Sequence, residues 1–171
     1  LVLTDPPYGM NLDGDNSKRG SATRLREGIL GGLKLQSFVD DSTIYAVKAF
    51  EIVQEKHIPK QVWFGANYYC HSLPETNNWL IWDKRVEDKM TNTNSDAELA
   101  WVLDGHNSCR IFRHLWNGLI KASEVRERRV HPTQKPIALW VWCIEKYAPD
   151  ASVILDLFGG SGSTLMAAEQ K

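Results

Sequence analysis

Asp5-Pro6-Pro7-Tyr8 directly follows the apolar run Leu1-Val2-Leu3, and the four residue types together suit the holding of a planar amino group. Asp5 supplies a carboxylate acceptor. Pro6 and Pro7 have no backbone N–H and stiffen the turn, so neighbouring carbonyls can face inward as further acceptors. Tyr8 adds an aromatic face on which a flat ring can stack. An exocyclic amine on a nucleobase would satisfy both demands at once. The plainer use of the same residues is a strand ending in a proline turn, with Tyr8 packed on the surface.

A second motif lies at the far end of the chain. Ser152-Val153-Ile154-Leu155 reads as a buried strand that runs through Asp156-Leu157-Phe158 into Gly159-Gly160-Ser161-Gly162-Ser163-Thr164, followed by an Ala-containing helical segment from Leu165 to Glu169. Strand, glycine turn and helix is the context of a nucleotide-type cofactor loop. Glycines let the backbone approach a ligand closely, and the N–H groups of the following helix favour a carboxylate or phosphate at the turn. A triphosphate loop would need a lysine before Ser163-Thr164, and Gly162 stands there instead. The spacing also differs from the G-x-G-x-x-G of dinucleotide folds.

Taken as a pair and in this order, the two motifs resemble those of S-adenosylmethionine-dependent DNA amino-methyltransferases, which modify adenine N6 or cytosine N4. The order resembles the permuted class, in which Asp-Pro-Pro-Tyr precedes the cofactor glycine loop. Three more segments are similar to the family pattern: His131-Pro132-Thr133-Gln134-Lys135-Pro136, Trp79-Leu80-Ile81-Trp82-Asp83-Lys84, and Asp96-Ala97-Glu98-Leu99-Ala100-Trp101. The resemblance implies that Asp5 and the Pro6 carbonyl accept hydrogen bonds from the target amine, and that Asp5, Pro6, Pro7 and Tyr8 form the catalytic motif with Tyr8 stacked on the base. It places Asp156, Phe158, Gly159, Gly160, Gly162 and Thr164 at the cofactor, with His131, Thr133 and Lys135 beside them. It further implies a Rossmann-like α/β sheet, double-stranded DNA as partner, base flipping, and adenine N6 as the amine, since Asp rather than Ser heads the motif. Cytosine N4 stays open, as does a nucleic-acid-binding module that keeps the fold without turnover. Methylation of RNA or of a protein glutamine is a further alternative, but a glutamine enzyme would place the glycine loop first and an Asn at the head of the grip.

The chemistry needs neither a metal nor a covalent protein nucleophile. Cys70, Cys109 and Cys143 show no C-x-x-C spacing and the five histidines form no H-x-x-x-H pair, so no zinc site is expected. Three cysteines do not make a disulfide scaffold and fit a reducing, cytoplasmic setting. No stretch is long enough for a membrane span, and the start of the sequence lacks a secretory pattern. The 171 residues, with 43% hydrophobic content and seven tryptophans, suit a single domain spanning 1–171, which at this size buries about two thirds of its unfolded surface. A homodimer is left open.

Formal charge is −1, whereas a protein that tracks DNA phosphates usually carries a basic surface. Positive charge is gathered locally: Lys18, Arg19, Arg24 and Arg26; Lys84-Arg85; Arg110 with Arg113; and Arg126, Arg128 and Arg129. The first and last groups flank the matched motifs and are the candidates for phosphate contact.

The elements that must position these residues follow from pattern. Gly9 to Gln36 is glycine-rich with little apolar periodicity and reads as a mobile loop over 9–36 that could close on a base. Asp40 and Asp41 offer a helix start, and Ile44, Val47, Phe50 and Val53 predict a core-packed helix that stops at Pro59. Strands are expected at 61–65, 79–82, 99–103 and 110–115, and Pro136 opens a helix closed by Ala148-Pro149. Mixed strands and helices indicate an α/β sheet covered by helices on both faces. Most tryptophans read as core; Trp116, near Arg110 and Arg113, is the candidate for base stacking. Residues 84–130 leave room only for a small target-recognition region. Family members continue past the glycine-loop helix into a strand that holds the cofactor ribose, so the sheet is expected to be incomplete at its C-terminal end.

Overall fold

Alternation along short apolar strands sorts the side chains onto two faces, and the structure, a computed structural model, shows what each face meets. It describes residues 1–8, 42–85, 95–117, 120–125, 131 and 134–171. Strands β1 (Val2–Thr4), β2 (Gln61–Phe64), β3 (Trp79–Asp83), β4 (Ala97–Leu103) and β5 (Arg110–Arg113) form one sheet in the order β1-β2-β4-β3-β5. β1 pairs parallel with β2 and β3 with β5, while β4 runs antiparallel to both of its neighbours. Two short strands, β6 (Trp116–Asn117) and β7 (Ile120–Lys121), pair with each other.

On one face Leu3, Val62, Phe64, Leu80 and Trp82 pack under helices α2 (Ile137–Tyr147) and α3 (Ser163–Ala168), which contribute Leu139, Trp140, Cys143, Ile144 and Ala167. On the other, Val2, Trp63 and Trp101 meet α1 (Ile44–Glu55) through Ala46, Phe50 and Val53. The chain is thus an α/β domain whose mixed sheet carries helices on both faces. The six expected strand and helix positions between 44 and 147 are occupied as the sequence pattern indicates, with shifts of a few residues at their ends. Cys70, Cys109 and Cys143 are free thiols, and no helix among the described residues is long and apolar enough to cross a membrane.

Three expectations need correction. Residues 152–155 do not form a buried strand. They run parallel beside β1, with Leu155 N–H donating to the Leu1 carbonyl at 2.8 Å and Leu3 N–H to the Leu155 carbonyl at 3.0 Å, but Val153 is 72% exposed. β1 satisfies one edge of this segment, and among the described residues no strand pairs with the other. Ile44 is 55% exposed rather than part of the core. A strict three-residue repeat slips about 60° per step around a helix, so Ile44 and Val53 end on opposite sides; the buried row is Ala46, Phe50, Val53, spaced by four and then three. Trp116 is buried, and its Nε1–H donates to the Gln134 carbonyl at 3.0 Å, which makes it a core residue. The 9–36 loop, Asp40 and Asp41 lie outside the described residues.

Phe50 stands edge-on to both Trp63 and Trp101, with ring centroids 5.2 Å apart in each case. Phe50→Ala should lower stability by about 3–5 kcal/mol, measured as a drop in the urea midpoint. A loss below about 1 kcal/mol would show that α1 does not anchor this face.

Candidate active site

Parallel strands β1 and β2 end side by side, and the turns that follow them carry Asp5 and Gly65. Because β4 is antiparallel, its early residue Glu98 lies at the same end of the sheet, paired in register with Trp82 near the end of β3. The loop before α2 brings Lys135 to this end. Lys135 Nζ donates to Asp5 Oδ2 and lies 3.3 Å from Glu98 Oε2, and Lys84 Nζ binds Glu98 Oε1 at 3.2 Å. Lys135 is only 3% exposed, and its ammonium also stands 5.4 Å from the Phe64 ring and 5.9 Å from the Tyr8 ring. An ammonium so deeply buried is tolerated only where opposite charge surrounds it.

The carboxylates respond differently to this arrangement. Burial pushes Asp5 up to about 6; Lys135 pulls it back, and Glu98 and Asp156 push it further. Burial alone would raise Glu98 too, but Lys135 and Lys84 together hold it below the usual carboxylate range. Burial would depress the Lys135 ammonium, and the two carboxylates outweigh it and raise it. Asp5 Oδ1 is buried and has no hydrogen-bond partner among the described residues.

Tyr8 does not stand open. Its ring is 7% exposed and stacks on Tyr68 at 4.9 Å with a 16° interplanar angle. Gly65 makes room for it. At φ +66° a Cβ on this residue would fall 2.1 Å from Tyr8 Cδ1, so both the backbone conformation and the close ring contact require glycine. Tyr68, on a short 3-10 turn after β2, is 49% exposed and forms the outer layer over Tyr8. Behind them the Tyr69 hydroxyl donates to the Phe64 carbonyl at 3.0 Å.

The glycine loop is tied to β1 through Asp156. Thr4 Oγ1 donates to Asp156 Oδ1 at 2.8 Å, and the same oxygen accepts from the Phe158 N–H at 3.1 Å. Leu157 N–H returns to Thr4 Oγ1 at 3.2 Å. Asp156 and Asp5 are therefore neighbours although they stand at opposite ends of the sequence. Gly160 and Gly162 have φ of +50° and +76°, and the space where Gly159 and Gly162 would carry a Cβ is open. The His131 ring lies 3.9 Å from the corresponding point at Gly160. Burial, with Lys135 adding to it, holds His131 below the ordinary imidazole value.

The structure thus brings together Asp5, Pro6, Pro7, Tyr8, Lys135, His131 and the 156–162 loop. Two residues of the expected cofactor set, Lys135 and Thr164, are buried. The Lys135 ammonium is engaged by Asp5 and Glu98 rather than turned to the glycine loop, and Thr164 is buried within the packing of α3. Thr133 lies outside the described residues, as do the arginines at 126–129 and the basic residues at 18–26. Of the described basic groups, Lys84 pairs with Glu98, Arg85 with Asp83 and Asp96, and Arg113 with Asp83. Sequence reasoning missed Glu98, Gly65 and Tyr68; a carboxylate inside the apolar run Ala97–Leu103 was the available signal for the first. No group of three metal-ligating side chains occurs among the described residues.

A family model for N6 and N4 DNA methylases matches residues 35–171. This span takes in Glu98, Lys135 and the glycine loop, and leaves Asp5 to Tyr8 ahead of it. No curated protein matches the chain.

Gly65→Ala should press a methyl into the Tyr8 ring and cost about 1–3 kcal/mol, the usual range for overpacking. Chemical denaturation measures the loss, and near-UV circular dichroism should report a changed Tyr8–Tyr68 environment; an unchanged midpoint would show that Tyr8 is free to move aside.

Proposed function

The chain belongs to the N6/N4 DNA methylase family, and from that premise we propose that it transfers a methyl group from S-adenosylmethionine to an exocyclic base amine of double-stranded DNA, adenine N6, after the base is flipped from its stack. The observation that carries this reading is Asp5 Oδ1, a buried acceptor without a partner among the described residues, in the residue next to Thr4, which binds Asp156 of the glycine loop. Left unsatisfied, such an atom is costly; an amine N–H would satisfy it.

An aromatic amine is a poor nucleophile because its lone pair is delocalised into the ring. Acceptors that draw its hydrogens out of plane restore the pair to nitrogen, and Asp5 Oδ1 with the Pro6 carbonyl are the groups for that task. S-adenosylmethionine, when bound, supplies an electrophilic methyl carbon. The residues present fit such a group: Asp156 fixes the loop against β1, Gly159 and Gly162 face open space, and His131 borders Gly160. Gly159, Gly160, Gly162, Phe158, Asp156 and His131 would hold it. Asp156 in the loop, with Asp5 close by, suits a positively charged sulfonium. Placing amine and donor in line accounts for much of the catalysis, since orientation alone can lower a barrier by about 7–11 kcal/mol.

The amine sheds a proton as its new N–C bond forms, and Asp5 is the carboxylate beside it. Standing at about 6, Asp5 is ionised at neutral pH and can accept that proton. A flipped base reaches the Tyr8 face by taking the place of Tyr68 or by opening the pair, and the half-exposed Tyr68 is the ring that can yield. We read the sheet as Rossmann-like because 152–155, β1 and β2 run parallel and present Asp5 and the glycine loop at their carboxyl ends, where open α/β sheets bind ligands. The order of the two motifs supports the permuted class.

Asp5→Ala should abolish methyl transfer and leave binding of labelled S-adenosylmethionine largely intact; wild-type turnover in this variant would refute the assignment. Nucleoside mass analysis of treated genomic DNA reads activity and the modified base together, with N4-methylcytosine the outcome that overturns the choice of amine. A chain that binds DNA but takes up no S-adenosylmethionine would be a binding module. For the wild type, turnover should fall as pH drops through about 6, where Asp5 gains its proton; a flat profile from pH 5 to 8 would contradict an ionised acceptor. Tyr8→Ala should weaken productive base binding by ~1–3 kcal/mol, read as a raised KM on duplex DNA.

A further inference from the structure

We propose that Lys135 and Glu98 are positioning residues for Asp5: Lys135 grips one carboxylate oxygen so that the other is offered to the amine, and Glu98 holds Lys135 in that place. This rests on the reading of Asp5 as the acceptor for the amine. The geometry is specific. Lys135 Nζ bonds Oδ2 of Asp5, and it is Oδ1 that is buried without a partner among the described residues. Glu98 Oε2 approaches the same ammonium to 3.3 Å from β4, while Oε1 is occupied by Lys84. Asp5, Lys135 and Glu98 come from three separate elements, so the carboxylate is oriented from outside its own turn.

A carboxylate oxygen that is buried without a hydrogen bond has given up water and gained nothing in return. Here one Asp5 oxygen is held and its twin is buried without a hydrogen-bond partner among the described residues, which is the arrangement a ligand would complete. The aromatic rings of Phe64 and Tyr8 flank the ammonium and shield it from water, so its attraction to Asp5 is weakly screened. The charged and titratable groups that face Asp5 are Lys135 from the loop before α2, Glu98 from β4, Asp156 from the glycine loop, Tyr8 from its own turn and Tyr69 after β2. Lys84 stands behind Glu98, and His131 beside Lys135.

The two neighbours act on Asp5 with opposite signs, and a titration of Asp5 that carries the acid limb of kcat with it is a signature which a merely structural pair would not show. Lys135 favours the ionised carboxylate and Glu98 opposes it. Carbon-13 titration of the Asp5 carboxyl in the full chain, carried out on wild type, Glu98→Gln and Lys135→Met, reads this directly. The midpoint should fall in Glu98→Gln and rise in Lys135→Met, each by about one pH unit or more, as neighbouring charges at this range impose. The acid limb of kcat on DNA should move with it, the affinity for S-adenosylmethionine should stay near wild type, and Lys135→Arg should bring the midpoint back toward its wild-type place. Midpoints that stay put, or that shift in the same direction in both variants, would overturn the proposal. So would a Lys135→Met protein that keeps kcat and loses cofactor affinity, because Lys135 would then serve the cofactor. Should Lys135→Met fail to fold, the near-isosteric Glu98→Gln decides alone by the direction of its shift. Opposite shifts in a wild-type background that methylates no DNA would uphold the clamp on Asp5 and refute the proposed activity instead.

Discussion

One buried ammonium organises the end of the sheet where β1 and β2 finish. Lys135 lies between Asp5 and Glu98, and removing its charge would leave Asp5 facing Glu98 in a dry place with no ammonium between them. The contact therefore constrains more than side chains. It requires the turn after β1, the start of β4 and the loop before α2 to converge, and so fixes how α2 enters the sheet at Pro136. The helix then delivers Leu139, Trp140 and Cys143 to the core. Apolar packing holds the layers together; the ion cluster sets where the layers end.

The second constraint is Asp156. Its Oδ1 receives Thr4 Oγ1 and the Phe158 N–H, so it serves the geometry of the glycine loop and the position of the residue just before Asp5 at once. A carboxylate spent on backbone and hydroxyl donors contributes orientation, much as a capping residue does. Through it the loop and the grip form one rigid neighbourhood, although 152 positions separate Thr4 from Asp156. Gly65 completes the arrangement from β2 by admitting the Tyr8 ring where no side chain would fit.

Local pattern made much of this readable. The apolar runs at 61–64 and 79–83, the Pro136 helix start and the glycine turn declared themselves because each is a short-range matter of period, cap or backbone freedom. What the sequence could not display were pairings across distance. Lys135 looked like part of the 131–136 segment beside a cofactor, and its actual partner stands 130 positions away. Glu98 passed as one residue of the 96–101 segment, because nothing local says that an antiparallel β4 would carry it to the ends of β1 and β2. The buried strand expected at 152–155 failed for a related reason: apolar residues indicate a wish for cover, and what covers them is decided by tertiary pairing. For Ile44 the error was one of period, since a row of every third residue does not stay on one helix face.

The charge cluster also sets a tension between folding and chemistry. Asp5 is raised to about 6 from an ordinary 3.8, so its protonated form is the one favoured by the fold; the stability this contributes is present in full below the ordinary value and is lost as pH rises through about 6. Glu98 runs the other way. Held low by Lys135 and Lys84, it stabilises the fold above its ordinary value and ceases to do so as pH falls. At neutral pH the protein therefore keeps Asp5 ionised against the preference of its surroundings, and Glu98 is the neighbour that sharpens that opposition. If stability alone governed the site, an apolar residue at 98 would relieve the repulsion but would leave Lys135 with a single partner. Keeping both carboxylates on one ammonium instead divides its charge, so that Asp5 is restrained at Oδ2 without being neutralised by a full, private ion pair. A carboxylate in that condition remains a strong acceptor at Oδ1, which is the property an amine in need of activation would draw upon.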